Sequence, residues 1–523
     1  MHLHVRPGGG MSSKRVRRSR ARGQSLVLAC LSFLLLALMT TLSFNLSHAL
    51  REKMSLQQHS DTMAYSMAVL EARSLNYYAV TNRSIAASYA AMTTMHGYMA
   101  AASVTGDMMS AGSTNFVMIA ILELAQCYPK LTHCVHAAEA LKISSEYSQK
   151  ANDYNKKVKN LESDFNKIIK NLDKMANSLH ASQAAVHRST ANAVRDGQSA
   201  DLKKLTEYNA PGASTVATGV GSINTDEFNC VVDGMNCQKA QSTSTQARAR
   251  SMTEVANATR PSWATDRGIP VLMNGIPSYL NNKFQKSLLK DIPSRGTHIG
   301  FDHKGTAKVV KQMGDVHGNG QYGGNTGDAV AADEHGTLFQ QWRDGAWISS
   351  YDAKISSRAS GSEHTPNGAH SGQHSEFKGV NTKDLASCAT EGNCFMKFRG
   401  IDSKAEDWGQ PRAYSYTTRQ FFNGSYAKAP WELNSSGTLK FGHGAQGTGS
   451  LRLAPGEGAA LSKALVYYHR LGPNGWKESP SLFNPYWRAK LHPFSAEEAS
   501  RVLSAANNSD GSQIASSAQD LPL

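Results

Sequence analysis

The strongest constraint on this chain is the absence of helix-breaking residues between Gln24 and His96. These 73 residues contain neither glycine nor proline. Residues 63–78 are also rich in Ala, Leu and Met, which favour helix. The stretch therefore predicts one long helix, or two helices with a bend. Its apolar face must be covered by another part of the structure.

The start of this stretch is strongly apolar. Residues 23–50 contain no Asp, Glu, Lys or Arg, and residues 26–39 are dense in Leu. About twenty apolar residues can span a bilayer core, so we predict a single transmembrane helix over 23–50. The positive-inside rule then places residues 1–22 in the cytoplasm and the bulk of the chain outside it. The basic residues that set this orientation are Lys14, Arg15, Arg17, Arg18, Arg20 and Arg22. The alternative is a signal peptide cleaved after Ser47-His48-Ala49.

The cysteines favour an oxidising compartment. Cys30 lies in the apolar segment, and the other six cysteines form three close pairs after it. An even number in tight pairs predicts local disulfides. The predicted pairs are Cys127/Cys134, Cys230/Cys237 and Cys388/Cys394. Zinc binding is the alternative, but five or six residues separate these cysteines where zinc pairs usually have two to four.

A second stretch without helix breakers runs from Lys130 to Asp196. Its apolar residues recur at alternating steps of four and three, which indicates a coiled coil. The predicted core positions are Tyr154, Val158, Leu161, Phe165, Ile168, Leu172, Met175 and Leu179. We favour an antiparallel hairpin in which this helix covers the first one. The alternative is a stalk that forms a homo-oligomer.

The composition changes at Asn209, after a helical stalk predicted over residues 51–208. Residues 209–259 are predicted to form a linker region with a local disulfide. Short alternating runs separated by turn signals predict a β-rich extracytoplasmic domain over 260–495, and Ser495 opens a short helix in a segment 496–523 whose tail is disordered. The predicted fold class is α+β: a single N-terminal transmembrane helix continues into a long helical hairpin or coiled-coil stalk, followed by the β-rich domain.

The motifs that suggest chemistry are weak. Asp315 and His317 match a fragment of the metallophosphatase signature, whose other metal-ligand blocks are missing. The histidines at 364, 370 and 374 share one polar stretch, but their spacing fits no standard metal site. The sequence therefore predicts no catalytic residue, no cofactor and no metal. Half of the net charge of +14 comes from residues 1–22, and the other half is spread over the rest of the chain with no visible basic patch, so no nucleic-acid partner is expected.

Two segments carry a family resemblance. Residues 20–29, the apolar stretch after them and residues 56–68 resemble the N-terminus of TadE/TadG-like proteins of the tight-adherence (Flp) pilus assembly system. Gln57, Asp61 and Ala64 match the family's second block, and residues 481–491 resemble the close of its large members. Cleaved pilins carry Glu five residues after the processing glycine, whereas this chain has Leu28 five residues after Gly23. The resemblance therefore implies an uncleaved N-terminus.

The resemblance implies a pseudopilin-like accessory protein anchored in the bacterial inner membrane. It would act by protein–protein contact, and its expected partners are pilus or secretion assembly proteins. One alternative is a membrane-anchored sensor or receptor, which would lack its own output domain because about 22 cytoplasmic residues are too few to form one. A surface metallophosphatase built on Asp315 and His317 is the other alternative.

Overall fold

The computed structural model describes residues 14–197, 199–262, 267–273, 297–309, 329–343, 346–359, 395–420, 438–442, 448–452, 457–469 and 478–517. The helices are α1 (Lys14–Ala125), α2 (Leu131–Asp196), α3 (Ala200–Asn209), α4 (Thr218–Cys230), α5 (Thr245–Ala258), α6 (Ala496–Ala505) and α7 (Ser509–Ser517). The strands are β1 (Arg267–Met273), β2 (Thr297–Val309), β3 (Ala329–Arg343), β4 (Ala346–Ala359), β5 (Arg412–Gln420), β6 (Thr438–Gly442), β7 (Thr448–Arg452), β8 (Glu457–Tyr468) and β9 (Trp487–Leu491).

Helices α1 and α2 form an antiparallel hairpin. Near its turn, the Ser113 hydroxyl lies 3.0 Å from that of Ser144, and near its other end Ser74 bonds Thr190 at 2.6 Å. α1 continues for 112 residues, well past the end of the glycine-free stretch. At Gly106, an added Cβ would lie 2.1 Å from Oδ1 of Asn155 on α2. This glycine therefore leaves room for the Asn155 amide, and it does not end α1.

A three-stranded antiparallel sheet lies against the first half of the hairpin. Its strand order is β5-β8-β9, with Ala413 opposite Ala464 and Val466 opposite Ala489. One hydrophobic core joins this sheet to α1, α2, α3 and α4. Among its fully buried members are Met63, Met67, Leu75, Val194, Phe228, Ala413, Ala464 and Val466.

Two further sheets complete the described strands. β1, β2, β3 and β4 form an antiparallel meander in that order, and β2, β3 and β4 lie close to α1. In this meander His303 of β2 is opposite His335 of β3. β6 and β7 pair with each other as a two-stranded sheet.

The predicted fold class, in which a helical stalk carries a separate β-rich domain, is wrong. The described chain is mostly helical, and its three-stranded sheet is small. This sheet shares a core with α1 instead of forming part of a separate head on a helical stalk. The physical reason is the width of the apolar face of α1: Leu56, Met63 and Leu75 are all fully buried, and the helix needs both α2 and the sheet to cover it.

The predicted transmembrane span over residues 23–50 is also wrong. Within the described part of the chain, no helix combines the length and the apolar character that crossing a membrane requires. The densely apolar run covers only residues 26–39, and at 1.5 Å per residue it extends about 21 Å, against about 30 Å of hydrocarbon. Thr40 and Thr41 follow it, and their hydroxyls bond back to the carbonyls of α1. The prediction of a single-pass inner-membrane protein depended on this span and is therefore also wrong.

The register of α2 departs from the predicted heptad. Leu161, Ile168 and Met175 are 42%, 43% and 46% exposed, whereas Ile169 and Ala176 are fully buried. The exposure hardly changes from Leu161 to Met175, so the contact face differs from the predicted one by a constant offset. The buried face combines Phe165 and Leu172 with the residues four positions later, Ile169 and Ala176, and the residues three positions later lie at its edge. Of the other predicted core residues, Phe165 is buried, and the partly buried ones are Tyr154, Val158, Leu172 and Leu179.

Candidate assembly surface

A long run of exposed apolar side chains lies on the early part of α1. Side chains 25–41 are all exposed. Leu26, Phe33 and Phe44 expose 69%, 73% and 70% of their surface. We call residues 25–50 of α1 the apolar arm. Its other exposed large apolar residues are Val27, Leu28, Leu31, Leu34, Leu35, Leu36, Leu38, Met39, Leu46 and Leu50.

The apolar arm differs from an amphipathic helix. Leu34, Leu35 and Leu36 are consecutive, so apolar side chains point in every direction around the helix axis. A helix that is apolar all round is normally buried on all sides. Large exposed apolar patches of this kind mark interaction sites. The apolar arm is therefore suited to packing among other apolar helices.

The arm ends where α1 meets the three-stranded sheet. Glu52 is 3.6 Å from the guanidinium of Arg419 on β5, and the Lys53 ammonium donates to the carbonyl of Ala459 on β8. Leu56, one turn later, is fully buried. The change from exposed to buried therefore occurs within about one turn of a continuous helix.

A cluster of polar contacts holds α1 to β8 directly after this boundary. The Gln57 amide donates to the carbonyl of Leu461 at 3.0 Å and to the Ser462 hydroxyl at 2.9 Å. The Ser462 hydroxyl in turn donates to the Asp61 carboxylate at 2.5 Å. One turn of α1 is thus bonded to both the backbone and a side chain of the central strand, which fixes the direction of the arm relative to the folded body.

The protein also contains a buried network of charges. The Lys463 ammonium is 2.6 Å from the Glu498 carboxylate, and Nε of Arg412 is 2.7 Å from Asp407. Arg412 lies 3.5 Å from Glu498, and the Tyr414 hydroxyl donates to the same carboxylate. Burial alone would raise the pKa of the Glu498 carboxyl, but the bonds from Lys463 and Tyr414 and the charges of Lys463 and Arg412 outweigh it and lower that pKa. The network ties α6 to the sheet, and its acceptors are occupied by its own members.

Two titratable side chains of α1 are buried without a hydrogen-bond partner. Among the described residues, neither carboxylate oxygen of Glu71 and neither ring nitrogen of His59 has one. Burial and the nearby Glu227 charge raise the pKa of Glu71 well above its usual value. Burial and the charge of Arg419 lower the pKa of His59. In both groups the shift favours the neutral form.

The structure places the predicted cysteines as follows. Disulfides join Cys127 to Cys134 across the α1–α2 turn and Cys230 to Cys237 after α4. Cys30 is a free cysteine on the exposed apolar arm. Cys388 and Cys394 lie outside the described residues.

Several other candidate residues fall where no side chain is described. The basic residues Lys14 to Arg22 lie within α1, but their side chains are outside the described part. The metallophosphatase candidates Asp315 and His317, and the histidines at 364, 370 and 374, also lie outside the described residues.

Sequence reasoning missed one cluster that the structure brings together. Glu123 near the end of α1 lies beside His133 and His136 at the start of α2. The spacing of the two histidines, three residues apart on a helix, places them on one face. The sequence contains that spacing, but the carboxylate comes from a different helix and is aligned only by the turn between them.

Comparison with known proteins finds no matching family model, no matching curated protein and no matching solved structure.

Proposed function

We propose that this chain is a non-enzymatic, pseudopilin-like accessory component of a tight-adherence (Flp) pilus assembly or secretion apparatus, acting by protein–protein contact. The observation that carries the proposal is the apolar arm, an exposed part of α1 that is apolar on all sides over residues 26–39 and continues into the folded body. The proposed partners are assembly proteins that present apolar helices of their own.

The position of the arm supports an assembly role. Because α1 is one uninterrupted helix, partners that enclose residues 25–50 would hold the body at a fixed distance and direction. The contacts of Gln57 and Asp61 with β8 prevent the body from swivelling about the arm. Such an arrangement positions a folded domain within a larger assembly without any chemical reaction.

The residues that carry the family resemblance have a defined place in this arrangement. Gln57 and Asp61 bind β8, and Ala64 is fully buried in the core shared with the sheet. The resemblance therefore falls on the turns of α1 that fix the arm to the body. This supports the proposal, because an assembly protein of this kind needs a rigid junction at that point.

The experiment is site-specific photocrosslinking in cells that express the full chain. A benzophenone amino acid replaces Phe33, an exposed aromatic residue in the middle of the arm. The matched control carries it at Tyr128, which is 95% exposed at the distant α1–α2 turn. We expect Phe33 to crosslink to pilus or secretion assembly proteins identified by mass spectrometry, and Tyr128 not to.

A second variant tests whether the apolar character of the arm matters. Leu35→Glu places a charge among the apolar side chains of the arm and leaves the body unchanged. We expect it to abolish the crosslink from Phe33 while preserving the thermal unfolding of the purified protein. Crosslinks confined to a kinase or transducer would favour the sensor alternative. Equal crosslinking from Phe33 and Tyr128 would overturn the proposed role of the arm.

A further inference from the structure

The end of the helical hairpin gathers three potential metal ligands. The Glu123 carboxylate is 2.6 Å from Nδ1 of His133 and 3.5 Å from Nδ1 of His136. One ligand atom from each of the three residues can be chosen so that all lie within 4.8 Å of one another. Their side chains are only 14%, 25% and 33% exposed, so the group is partly sheltered but open to an ion from solvent.

The chemistry of this group is that of zinc. Two imidazoles and one carboxylate form a common three-ligand set for Zn²⁺, with the fourth position taken by water or another ligand. Tetrahedral bonds of about 2.0 Å place ligand atoms about 3.3 Å apart. The Glu123–His136 separation of 3.5 Å already fits this spacing, and the Glu123–His133 pair needs to open by about 0.7 Å.

The local structure restricts how the ligands can move. His133 and His136 lie in the first two turns of α2, where the backbone is helical. The disulfide between Cys127 and Cys134 connects the turn to α2 directly beside His133. Because both cysteines are used in this bond, no thiolate is supplied to the site while the disulfide is intact.

We propose that Glu123, His133 and His136 bind one divalent transition-metal ion of the zinc class at the end of the hairpin. The ion would bridge the last turn of α1 and the first turns of α2, and it would leave a coordination position open to solvent. This inference does not depend on the proposed assembly role. It differs from the sequence prediction of no metal because the three ligands come together only when the two helices are aligned.

The test is titration of the full chain with Zn²⁺ under non-reducing conditions, followed by calorimetry. We expect one binding event per chain that weakens by at least about tenfold in His133→Ala and in Glu123→Gln. The matched control is Glu146→Gln, the same substitution about three turns further along α2 than His136. It should leave the affinity unchanged.

A spectroscopic measurement separates the site from weak binding by other histidines. Co²⁺ in a tetrahedral site of nitrogen and oxygen ligands gives intense visible absorption, which we expect in the wild type and in Glu146→Gln but not in His136→Ala. Circular dichroism without metal shows whether each variant is folded. Absence of Zn²⁺ binding to the wild type, or equal affinity of the folded His133→Ala variant, would overturn the proposal.

Discussion

The side-chain amide of Asn76 on α1 and the backbone of Trp487 on β9 form a ring that two hydrogen bonds close. The Asn76 amide nitrogen donates to the Trp487 carbonyl at 3.0 Å, and the Trp487 N–H donates back to the Asn76 amide oxygen at 3.0 Å. Asn224 of α4 makes the same ring with Tyr414 on β5, at 2.9 and 2.8 Å. β5 and β9 are the two outer strands of the three-stranded sheet. Helix side chains therefore occupy backbone groups that a further strand would otherwise bind.

The first prediction concerns this ring. Asn76→Ala leaves the Trp487 N–H and carbonyl without partners, so we expect the free energy of unfolding to fall by about 1–3 kcal/mol. Chemical denaturation monitored by circular dichroism measures the change. Asn171→Ala removes an exposed asparagine of α2 and is the control, with an expected change below about 0.5 kcal/mol. Equal effects of the two substitutions would show that the ring contributes nothing.

The second prediction tests the register of α2 with adjacent isoleucines. Ile169 is fully buried against α1, whereas Ile168 is 43% exposed. We expect Ile169→Ala to lower the free energy of unfolding by about 2–5 kcal/mol, because it leaves a cavity in the core. Ile168→Ala should cost less than about 1 kcal/mol. The opposite order, measured by denaturation, would restore the heptad register and the oligomeric stalk that it allows.

The helical character of the chain could be predicted because it depends on local composition. Long stretches without glycine or proline allow little else, and cysteines seven residues apart can pair locally. The register of α2 was harder to predict, because steps of three and four suit both a 3.5-residue and a 3.6-residue repeat over a few turns. Only the position of the partner helix shows that Ile169, not Ile168, faces inward.

The packing of the sheet against α1 could not be predicted, because it depends on contacts between distant parts of the chain. Asn76 and Trp487 are separated by more than 400 residues, and no local pattern marks Asn76 as the partner of a strand. The same holds for Gln57 and Ser462. The group formed by Glu123 and His133 is close in sequence, but the turn between two helices decides whether the side chains meet.

The third prediction concerns Glu71, which is buried and has no hydrogen-bond partner among the side chains that the structure describes. Its raised pKa means that the folded state keeps a proton that the unfolded state loses above about pH 4.5, so this residue lowers stability as the pH rises through its folded pKa. We expect Glu71→Gln to be more stable than wild type near pH 8 by about 1–3 kcal/mol, with almost no difference below about pH 4. Urea denaturation across this pH range measures the difference in unfolding free energy between the two proteins.

Glu207→Gln is the control for this effect, because Glu207 is exposed on α3. The difference in unfolding free energy between Glu207→Gln and wild type should not grow with pH, whereas that of Glu71→Gln should. A Glu71→Gln protein that is less stable than wild type at alkaline pH would mean that the carboxylate is ionised and paired in the folded state.

The fourth prediction concerns Gly221 in α4. A Cβ at this position would lie 1.7 Å from the carbonyl oxygen of Arg195 at the end of α2. Replacement of a helical glycine by alanine usually stabilises a helix by up to about 1 kcal/mol. Here we expect the opposite sign, a loss of about 2 kcal/mol or more, because two backbones must separate. Ser222→Ala, at the exposed neighbouring position, should change the unfolding free energy by less than about 1 kcal/mol.

The last prediction uses the adjacent glutamates of α6. Glu498 is buried and binds Lys463 at 2.6 Å, while Glu497 is exposed. Since the pKa of Glu498 is lowered in the folded state, its stabilising contribution is present above about pH 4.5 and is lost as the pH falls through the folded value. Glu498→Gln leaves the buried Lys463 charge without its carboxylate, whereas Arg412 keeps Asp407. We therefore expect the substitution to lower the free energy of unfolding by about 3–5 kcal/mol at neutral pH.

This cost should shrink on acidification, because the wild-type carboxylate becomes protonated and then resembles the amide of Glu498→Gln. Glu497→Gln should match wild type at every pH within about 0.5 kcal/mol. Thermal unfolding at neutral and acidic pH distinguishes the cases. The loss of unfolding free energy in Glu498→Gln could instead stay constant down to the lowest pH. That result would show that the side chain contributes by its shape and hydrogen bonds and not by its charge. The buried network would then hold α6 to the sheet without acid sensitivity.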